Sequence, residues 1–143
     1  RYFIDAIDAI NGTGTIKVLN DKLDHEAIEI PVGKVVTIDL NNHKITMSQT
    51  ITNNQKLIIK DDSEEKKGTI NNVNENTIQN NGTLTISNIK LQSVKTVIYG
   101  NSGTGTVTIN NNATIIAITT NTITATIIIA FFLDFLGPGL PSF

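Results

Sequence analysis

One stretch of the chain contains the pattern that recurs along it: Pro31-Val32-Gly33-Lys34-Val35-Val36-Thr37-Ile38-Asp39-Leu40-Asn41-Asn42-His43-Lys44-Ile45. Within it, Val36 and Ile38 flank the polar Thr37, and two asparagines follow. Alternating apolar and polar residues predict a short strand with one buried face, since successive strand side chains point to opposite faces. The asparagines predict a turn, because Asn can close a turn on its own backbone and accepts left-handed geometry. The stretch therefore predicts a strand that ends in a tight corner.

The same pattern recurs in five segments. Their apolar positions predict a core stack of Ile16, Val18, Val36, Ile38, Leu57, Ile59, Leu84, Ile86, Val107 and Ile109. An Asn or Asp follows each segment, at the predicted turn positions Asn20, Asn41, Asp61, Asn88 and Asn111. The segments end on apolar residues at 18, 38, 59, 86 and 109, so the pattern recurs at a similar but irregular spacing. The longest step, from 59 to 86, contains the charged run 61–67, which we expect to be a solvated loop.

Two further sets of apolar residues lie between these segments. One set is Ile28, Ile30, Ile45, Met47, Ile70, Ile89, Leu91 and Ile115, and the other is Ile51, Ile78 and Val97 or Ile98. Three short strands per repeat predict an all-β fold, a parallel β-helix of about five coils with three strands per coil. Asparagines at equivalent corners are expected to stack into hydrogen-bonded ladders. An antiparallel sandwich of short strands is the alternative, because sandwiches also have closely spaced turns.

The composition agrees with strands and turns, and it excludes several functions. Of 143 residues, 24 are Ile, 20 are Thr and 18 are Asn. The length fits a single domain, 1–143. A net charge of −2 lacks the basic patch that binding to nucleic acid or an anionic membrane requires, so we expect neither partner. Without cysteine there is no disulfide framework, thiolate metal site or Cys nucleophile.

The two ends of the sequence differ from the repeats. Apolar residues at helical spacing predict a capping helix over 2–10, ahead of coils over 15–112. These first residues lack the apolar region of a signal peptide, so we expect a piece or a mature form of a longer protein. The stretch 113–143 is expected to form the last coil and either a C-terminal cap or an oligomerisation segment, with 123–143 joining copies of the chain. Its apolar run contains Asp134 and is too short for a bilayer, so no membrane span is expected.

The stretch 33–45 resembles a coil of the pectin-lyase-like right-handed parallel β-helix domains found in bacterial surface proteins. Thr15–Asp21 is similar to the first coil of those domains, and Asn81–Asn88 is similar to a later one. Asn42 replaces the glycine that is usual in this motif, and the sequence beyond residue 113 has no counterpart. The resemblance implies a right-handed helix and an extracellular or cell-wall-associated protein. It also implies a stalk or adhesive module with a cell-surface or carbohydrate ligand.

Relatives of this fold that cleave acidic polysaccharides prompt a search for an active site. Lyases of this kind use several carboxylates around Ca²⁺ and a basic residue, but here the only arginine is Arg1, and Glu29, Asp39 and Asp61-Asp62 are scattered. The acidic pair belongs to the charged loop and is expected to be a solvated turn. His25 is expected on a surface loop. His43 could face Asp39 or Glu29 across a corner, but a histidine in the turn motif Asn-x-His is expected to be structural. We therefore predict no catalytic, cofactor or metal residues, and expect Gly12-Thr13-Gly14 and Gly103-Thr104-Gly105 to be turns.

Three functions remain from the sequence. The leading one is a non-catalytic module, although Tyr2, Tyr99 and the absence of tryptophan provide few aromatic platforms for sugars. The second is a degenerate or partial polysaccharide lyase or hydrolase. The third is ice binding through outward threonine ladders, since Thr-x-Thr recurs at 50–52, 83–85, 106–108 and 122–124. Of these pairs, 83–85 and 106–108 are in phase, and earlier coils present Val35/Thr37 and Lys56/Ile58.

Overall fold

The computed structural model describes residues 2–100 and 105–118 and contains three parallel sheets. Sheet A consists of β1 (Thr13–Lys17), β4 (Val35–Asp39), β7 (Lys56–Lys60), β10 (Thr83–Ser87) and β13 (Thr106–Asn110). Sheet B consists of β2 (Lys22–Asp24), β5 (Lys44–Met47), β8 (Thr69–Asn72), β11 (Lys90–Ser93) and β14 (Thr114–Ala117). Sheet C consists of β3 (Ile28–Ile30), β6 (Ile51–Asn53), β9 (Ile78–Asn80) and β12 (Ile98–Tyr99).

The chain passes through sheets A, B and C in turn, so it forms four complete coils and two strands of a fifth. Each strand pairs in parallel with the strand one coil away. This arrangement confirms the predicted all-β parallel β-helix. The sandwich alternative is wrong, because its neighbouring strands would be antiparallel.

The register of sheet A differs from the predicted one in the first coil. Ile16 pairs with Ile38, whereas the prediction aligned Val18 with Ile38. Val18 is buried at the next inward position after Ile16. Its N–H donates to the carbonyl oxygen of Asp39 at 2.9 Å. A shift of two residues keeps every side chain on its predicted face, because strand side chains alternate with a period of two. The alternation alone therefore does not reveal the shift.

Apolar side chains from all three sheets fill the interior. The fully buried members of the predicted stack are Val18, Val36, Ile38, Leu57, Ile59, Leu84 and Ile86. Ile16, Val107 and Ile109 are half-buried, because they lie in the first and last of the described coils. Burial of one such side chain contributes about 1.5–3 kcal/mol, so stacking along the helix axis is a main source of stability.

Two residues of the second apolar set belong to a different sheet from the predicted one. Ile28 and Ile30 form β3 in sheet C, where Ile28 pairs with Ile51. Ile45 of sheet B stacks instead with Ile70, Leu91 and Ile115. Strands of both sheets have similar lengths and alternate in the same way, so the pattern cannot assign a strand to its sheet.

A short helix, α1 (Phe3–Asp8), covers the first coil and is shorter than the predicted 2–10. Phe3 and Ile7 are buried against the core. The ammonium group of Lys34 donates to the carbonyl oxygens of Ile7 at 2.8 Å and Asp8 at 3.2 Å, which satisfies free carbonyls at the helix end. Gly14 occupies an inward position of β1, where an added Cβ would lie 2.8 Å from Ile10 Cγ1. The end of this N-terminal segment therefore fills the space of a core side chain.

The corner after sheet A has left-handed backbone at three of the five predicted turn residues, Asn41, Asn88 and Asn111, and not at Asn20 or Asp61. The φ angles of Asn41, Asn88 and Asn111 are 47°, 57° and 53°. Asn42, at the position where glycine is usual in similar sequences, also has a positive φ, 69°. Asparagine can therefore replace glycine at this corner, because it tolerates left-handed backbone geometry.

Asparagine ladders form at the corner between sheets C and A. Asn53 Nδ2 donates to Asn80 Oδ1 at 2.7 Å and to the carbonyl oxygen of Thr83 at 3.0 Å. Asn80 Nδ2 donates to the carbonyl oxygens of Gly82 at 3.0 Å and Thr106 at 3.1 Å. Because both asparagines are buried, these bonds satisfy polar groups that would otherwise destabilise the core.

Only the first part of the stretch 113–143 lies among the described residues. β14 stacks on β11 and adds Ile115 and Ala117 to the inner rows. Residues 119–143, including the predicted oligomerisation segment 123–143, lie outside the described residues.

Candidate functional site

Asp61 and Asp62, the pair considered as an acid–base dyad, have different surroundings. Asp61 is fully buried, whereas the prediction placed it in a solvated turn. Its Oδ2 accepts the N–H groups of Gly68 at 2.6 Å and Asn42 at 3.1 Å, and its Oδ1 accepts that of Ser63 at 2.9 Å. Asp61 follows the inward row of sheet A, so its side chain turns into the coil and anchors both ends of the charged loop.

Burial opposes ionisation of Asp61, but the hydrogen bonds outweigh it. Those from Ser63, Gly68 and Asn42 hold the pKa of this carboxyl below its ordinary value. Asp62 is exposed and paired with Lys60. Asp61 therefore accepts backbone hydrogen bonds inside the fold, and Asp62 forms a surface ion pair. The two carboxylates do not form a dyad across a substrate cleft.

Both histidines lie near polar partners on the surface or corner. His25 Nδ1 lies 3.1 Å from Ser48 Oγ. His43 Nδ1 lies 3.3 Å from Asp21 Oδ1, so its carboxylate partner is Asp21 and not Asp39 or Glu29. The backbone N–H of Lys44, at 2.9 Å from Asp21, together with His43, holds the pKa of Asp21 below its ordinary value.

The scattered acidic residues also accept hydrogen bonds from neighbouring groups. Asp39 Oδ1 accepts the N–H groups of Asn41 at 3.1 Å and Asp62 at 3.2 Å. Glu29 Oε1 accepts Asn54 Nδ2 at 2.9 Å. Within residues 2–100 and 105–118, no three His, Asp or Glu side chains converge to hold a metal ion. Arg1 and most of Gly103-Thr104-Gly105 lie outside the described residues.

The most regular surface is the outer side of sheet A, which we call the hydroxyl face. Its first row contains Thr13, Val35, Lys56, Thr83 and Thr106, and its second contains Thr15, Thr37, Ile58, Thr85 and Thr108. The two rows lie on neighbouring outward positions of five parallel strands. Threonine fills seven of these ten positions, with strands about 4.8 Å apart along each row.

Threonine hydroxyls on this face differ from those at the corners. The hydroxyls of Thr50, Thr69 and Thr77 each donate to a carbonyl oxygen, at 2.8, 3.1 and 2.8 Å. The seven threonines of the hydroxyl face make no side-chain hydrogen bond to any other described residue. Thr85 is half-buried and Thr108 is exposed, so these hydroxyls can donate to and accept from an external ligand or water.

Three residues interrupt the threonines of the face, Val35 on β4 and Lys56 and Ile58 on β7, and a third row borders the face. Lys56 and Ile58 place a charge and an apolar side chain on β7. The bordering row is Lys17, Asp39, Lys60, Ser87 and Asn110. The hydroxyl face is therefore most uniform on β10 and β13, where Thr83 and Thr85 pair with Thr106 and Thr108.

Sequence reasoning missed two members of this face. Thr13 pairs with Val35, and Thr15 pairs with Thr37, so a third Thr-x-Thr pair is in phase. The predicted register placed Lys17 opposite Thr37 and hid this pair. The interruption by Gly14 obscured it further, because glycine weakens a strand pattern.

The aromatic side chains of the described residues lie away from this face. Tyr2 precedes α1 and is 62 % exposed. The hydroxyl of Tyr99 donates to Gln79 Oε1 at 3.0 Å on the outer side of sheet C. The ten positions of the hydroxyl face contain no aromatic residue, so a ligand there would be held by hydroxyl and methyl groups and not by ring stacking.

No helix formed by the described residues is long and apolar enough to cross a bilayer. Comparison of the chain with protein-family models, with curated proteins and with solved structures gives no significant match. The assignment of a function therefore depends on the fold and on the surface of the chain itself.

Proposed function

We propose that this chain is a non-catalytic β-helix module of an extracellular bacterial surface protein, adhesin-like or stalk-like, and that the hydroxyl face is its binding surface. The observation that carries the proposal is the in-phase array of threonines across all of sheet A except β7. The cell-surface location rests on the resemblance of the stretch 33–45 to such domains.

The chemistry of the face favours a ligand with regularly repeated hydroxyl groups, such as a polysaccharide. Each threonine offers one donor, two acceptor lone pairs and a methyl group. Neighbouring strands repeat these groups about 4.8 Å apart, most regularly from β10 to β13, and β7 interrupts the repeat. A face of this kind binds through many weak contacts, so a charge introduced at Thr85, in the more uniform part formed by β10 and β13, should weaken several of them.

Cosedimentation with insoluble cellulose, chitin and peptidoglycan tests the proposal. We expect the protein to bind at least one of these polymers, and Thr85→Lys to weaken that binding about tenfold or more, equivalent to about 1.4 kcal/mol. Thr46→Lys is the matched control, because Thr46 is also a half-buried outward threonine but lies in sheet B. Protein that stays in the supernatant with all three polymers, or equal binding by both variants, would contradict the proposal.

Ice binding is a second candidate, favoured by one observation. Thr13 and Thr15 are in register with the rest of sheet A, so in-phase Thr-x-Thr pairs lie on β1, β10 and β13. The sequence indicates in-phase pairs at 83–85 and 106–108, so the structure adds one. Regular hydroxyl and methyl groups on a flat face can order water. Thermal hysteresis that Thr85→Lys removes and Thr46→Lys retains would support it, and equal freezing and melting temperatures in concentrated wild-type solution would refute it.

A further inference from the structure

The sequence contains two Asn-Gly pairs, Asn11-Gly12 and Asn81-Gly82. In such a pair the main-chain nitrogen of glycine can attack the side-chain amide of asparagine, because glycine has no side chain to obstruct the approach. The nitrogen loses its proton to solvent and bonds to Cγ, the Cγ–Nδ2 bond breaks, and ammonia leaves. Water then opens the succinimide ring to aspartate or isoaspartate. The structure around each pair decides whether this reaction occurs in the folded protein.

The first pair lies in the short connection between α1 and β1. Asn11 and Gly12 are both exposed. Within residues 2–100 and 105–118, the side chain of Asn11 makes no hydrogen bond, and the N–H of Gly12 donates to no backbone group. A Cβ added at Gly12 would meet no atom within 4 Å, so the space around the pair is open. Neither the attacking nitrogen nor the leaving amide is therefore restrained by the fold.

The main chain at this pair forms a tight turn that favours the attack. The N–H of Thr13 donates to the carbonyl oxygen of Asn11 at 3.0 Å, and Gly12 between them has a φ of 74°. This geometry is that of a γ-turn, which glycine adopts without the penalty of a side chain. The hydrogen bond withdraws electrons from the peptide group that Asn11 shares with the Gly12 nitrogen. That nitrogen therefore loses its proton more readily, which is the first step of the attack.

The second pair is half-buried and restrained on both sides. Asn81 Nδ2 donates to Asn54 Oδ1 at 2.9 Å, and the backbone N–H of Asn81 donates to the carbonyl oxygen of Asn53 at 2.9 Å. Gly82 lies against the preceding coil, where an added Cβ would be 2.2 Å from the carbonyl oxygen of Gln55. Ring closure would have to break the side-chain bond and move this packed backbone. Reaction at Asn81 therefore requires local opening of the corner.

We propose that Asn11 is a site of spontaneous deamidation in the folded protein and that the fold protects Asn81. The product at position 11 carries a new negative charge, and its isoaspartate form lengthens the main chain by one carbon just before β1. The carbonyl oxygen of Gly12 accepts the N–H of Val35 at 2.7 Å, so the added carbon disturbs the first hydrogen bond between the first two coils. This modification is independent of ligand binding by the hydroxyl face.

Incubation of the full chain in mildly alkaline buffer, followed by peptide mapping with mass spectrometry, tests the proposal. Replacement of the amide by an acid changes the peptide mass, and fragmentation locates the change. In the folded protein we expect Asn11 to react at least about tenfold faster than Asn81, because only Asn81 needs local opening. Each pair is followed by a threonine, Thr13 or Thr83, so Asn81 is a matched internal control.

The same incubation in urea separates the effect of the fold from that of the sequence. Unfolding should speed the reaction of Asn81 at least about tenfold and that of Asn11 less than about threefold, because only the corner at Asn81 is opened by it. Equal rates at the two asparagines in the folded protein would overturn the proposal. An intact amide at Asn11 after a period in which the unfolded chain has deamidated would overturn it as well, and neither result depends on the folding of a variant.

Discussion

Replacing the buried Asp61 with alanine should destabilise the β-helix strongly, although the residue belongs to a highly charged loop. Its carboxylate accepts three backbone N–H groups, from Gly68, Asn42 and Ser63. Gly68 is buried, and leaving its N–H without a partner costs about 1–3 kcal/mol. The other two donors are nearer to water and should cost about 0.5–1 kcal/mol each. We therefore expect Asp61→Ala to lower the free energy of unfolding by about 3 kcal/mol.

Urea unfolding at pH 7, followed by circular dichroism, measures this loss. At a slope of about 2 kcal/mol/M, the expected change moves the midpoint by about 1.5 M. Asp62→Ala is the matched control, because its side chain is exposed and makes a surface ion pair with Lys60. It should change the free energy of unfolding by less than about 1 kcal/mol. A loss below about 1 kcal/mol for Asp61→Ala would refute the anchoring role.

The pH dependence provides a second check on Asp61. Since its pKa in the folded protein lies below the ordinary value of 3.8, the ionised form stabilises the fold above that value. The contribution is lost as the pH falls through the folded pKa. The difference in stability between the wild type and Asp61→Asn should therefore be full at pH 7 and should shrink below about pH 4. An unchanged difference at pH 7 and pH 3 would contradict this sign.

Three further predictions follow from the corners and the surface. Gly82→Ala should lower the midpoint of thermal unfolding by several degrees, because its Cβ would lie 2.2 Å from the carbonyl oxygen of Gln55 and the backbone must move; an unchanged midpoint would contradict this close contact. Asn80→Ala should cost about 2 kcal/mol in urea unfolding, since it removes buried hydrogen bonds to Asn53 and to two carbonyl oxygens. Asn74→Ala, at an exposed corner position, is its control, and equal losses would argue against the ladder. Incubation with polygalacturonate and Ca²⁺ should release no product, whereas turnover that Asp62→Asn abolishes would revive the degenerate-enzyme hypothesis.

The fold could be predicted because its main constraint is local and periodic. Residues such as Val36 and Ile38 alternate with polar neighbours, and Asn41 marks the corner. Register and sheet assignment depend instead on contacts between coils. The shift that moved Val18 was invisible because it preserved the alternation. Ile28 was assigned to the wrong sheet because strands of sheets B and C alternate alike.

The role of Asp61 could not be predicted from its neighbours in sequence. The run of charges after it is typical of a solvated loop. Burial of its carboxylate depends on the N–H groups of Asn42, from the preceding coil, and of Gly68, at the far end of the loop. A charged side chain becomes acceptable inside a protein when such donors surround it, and only the three-dimensional arrangement brings them together.

The candidate site has the same dependence on register. Thr83 and Thr106 were recognised as in phase because the step between their coils was correct, whereas Thr13 was lost with the first-coil shift. In a parallel β-helix, the inward residues fix the stacking and the outward residues of the same strands are largely free to vary. Lys56 and Ile58 therefore interrupt the hydroxyl face without disturbing Leu57 and Ile59, which remain fully buried. The proposed binding surface depends on which outward residues agree from coil to coil, and that agreement is greatest on β10 and β13.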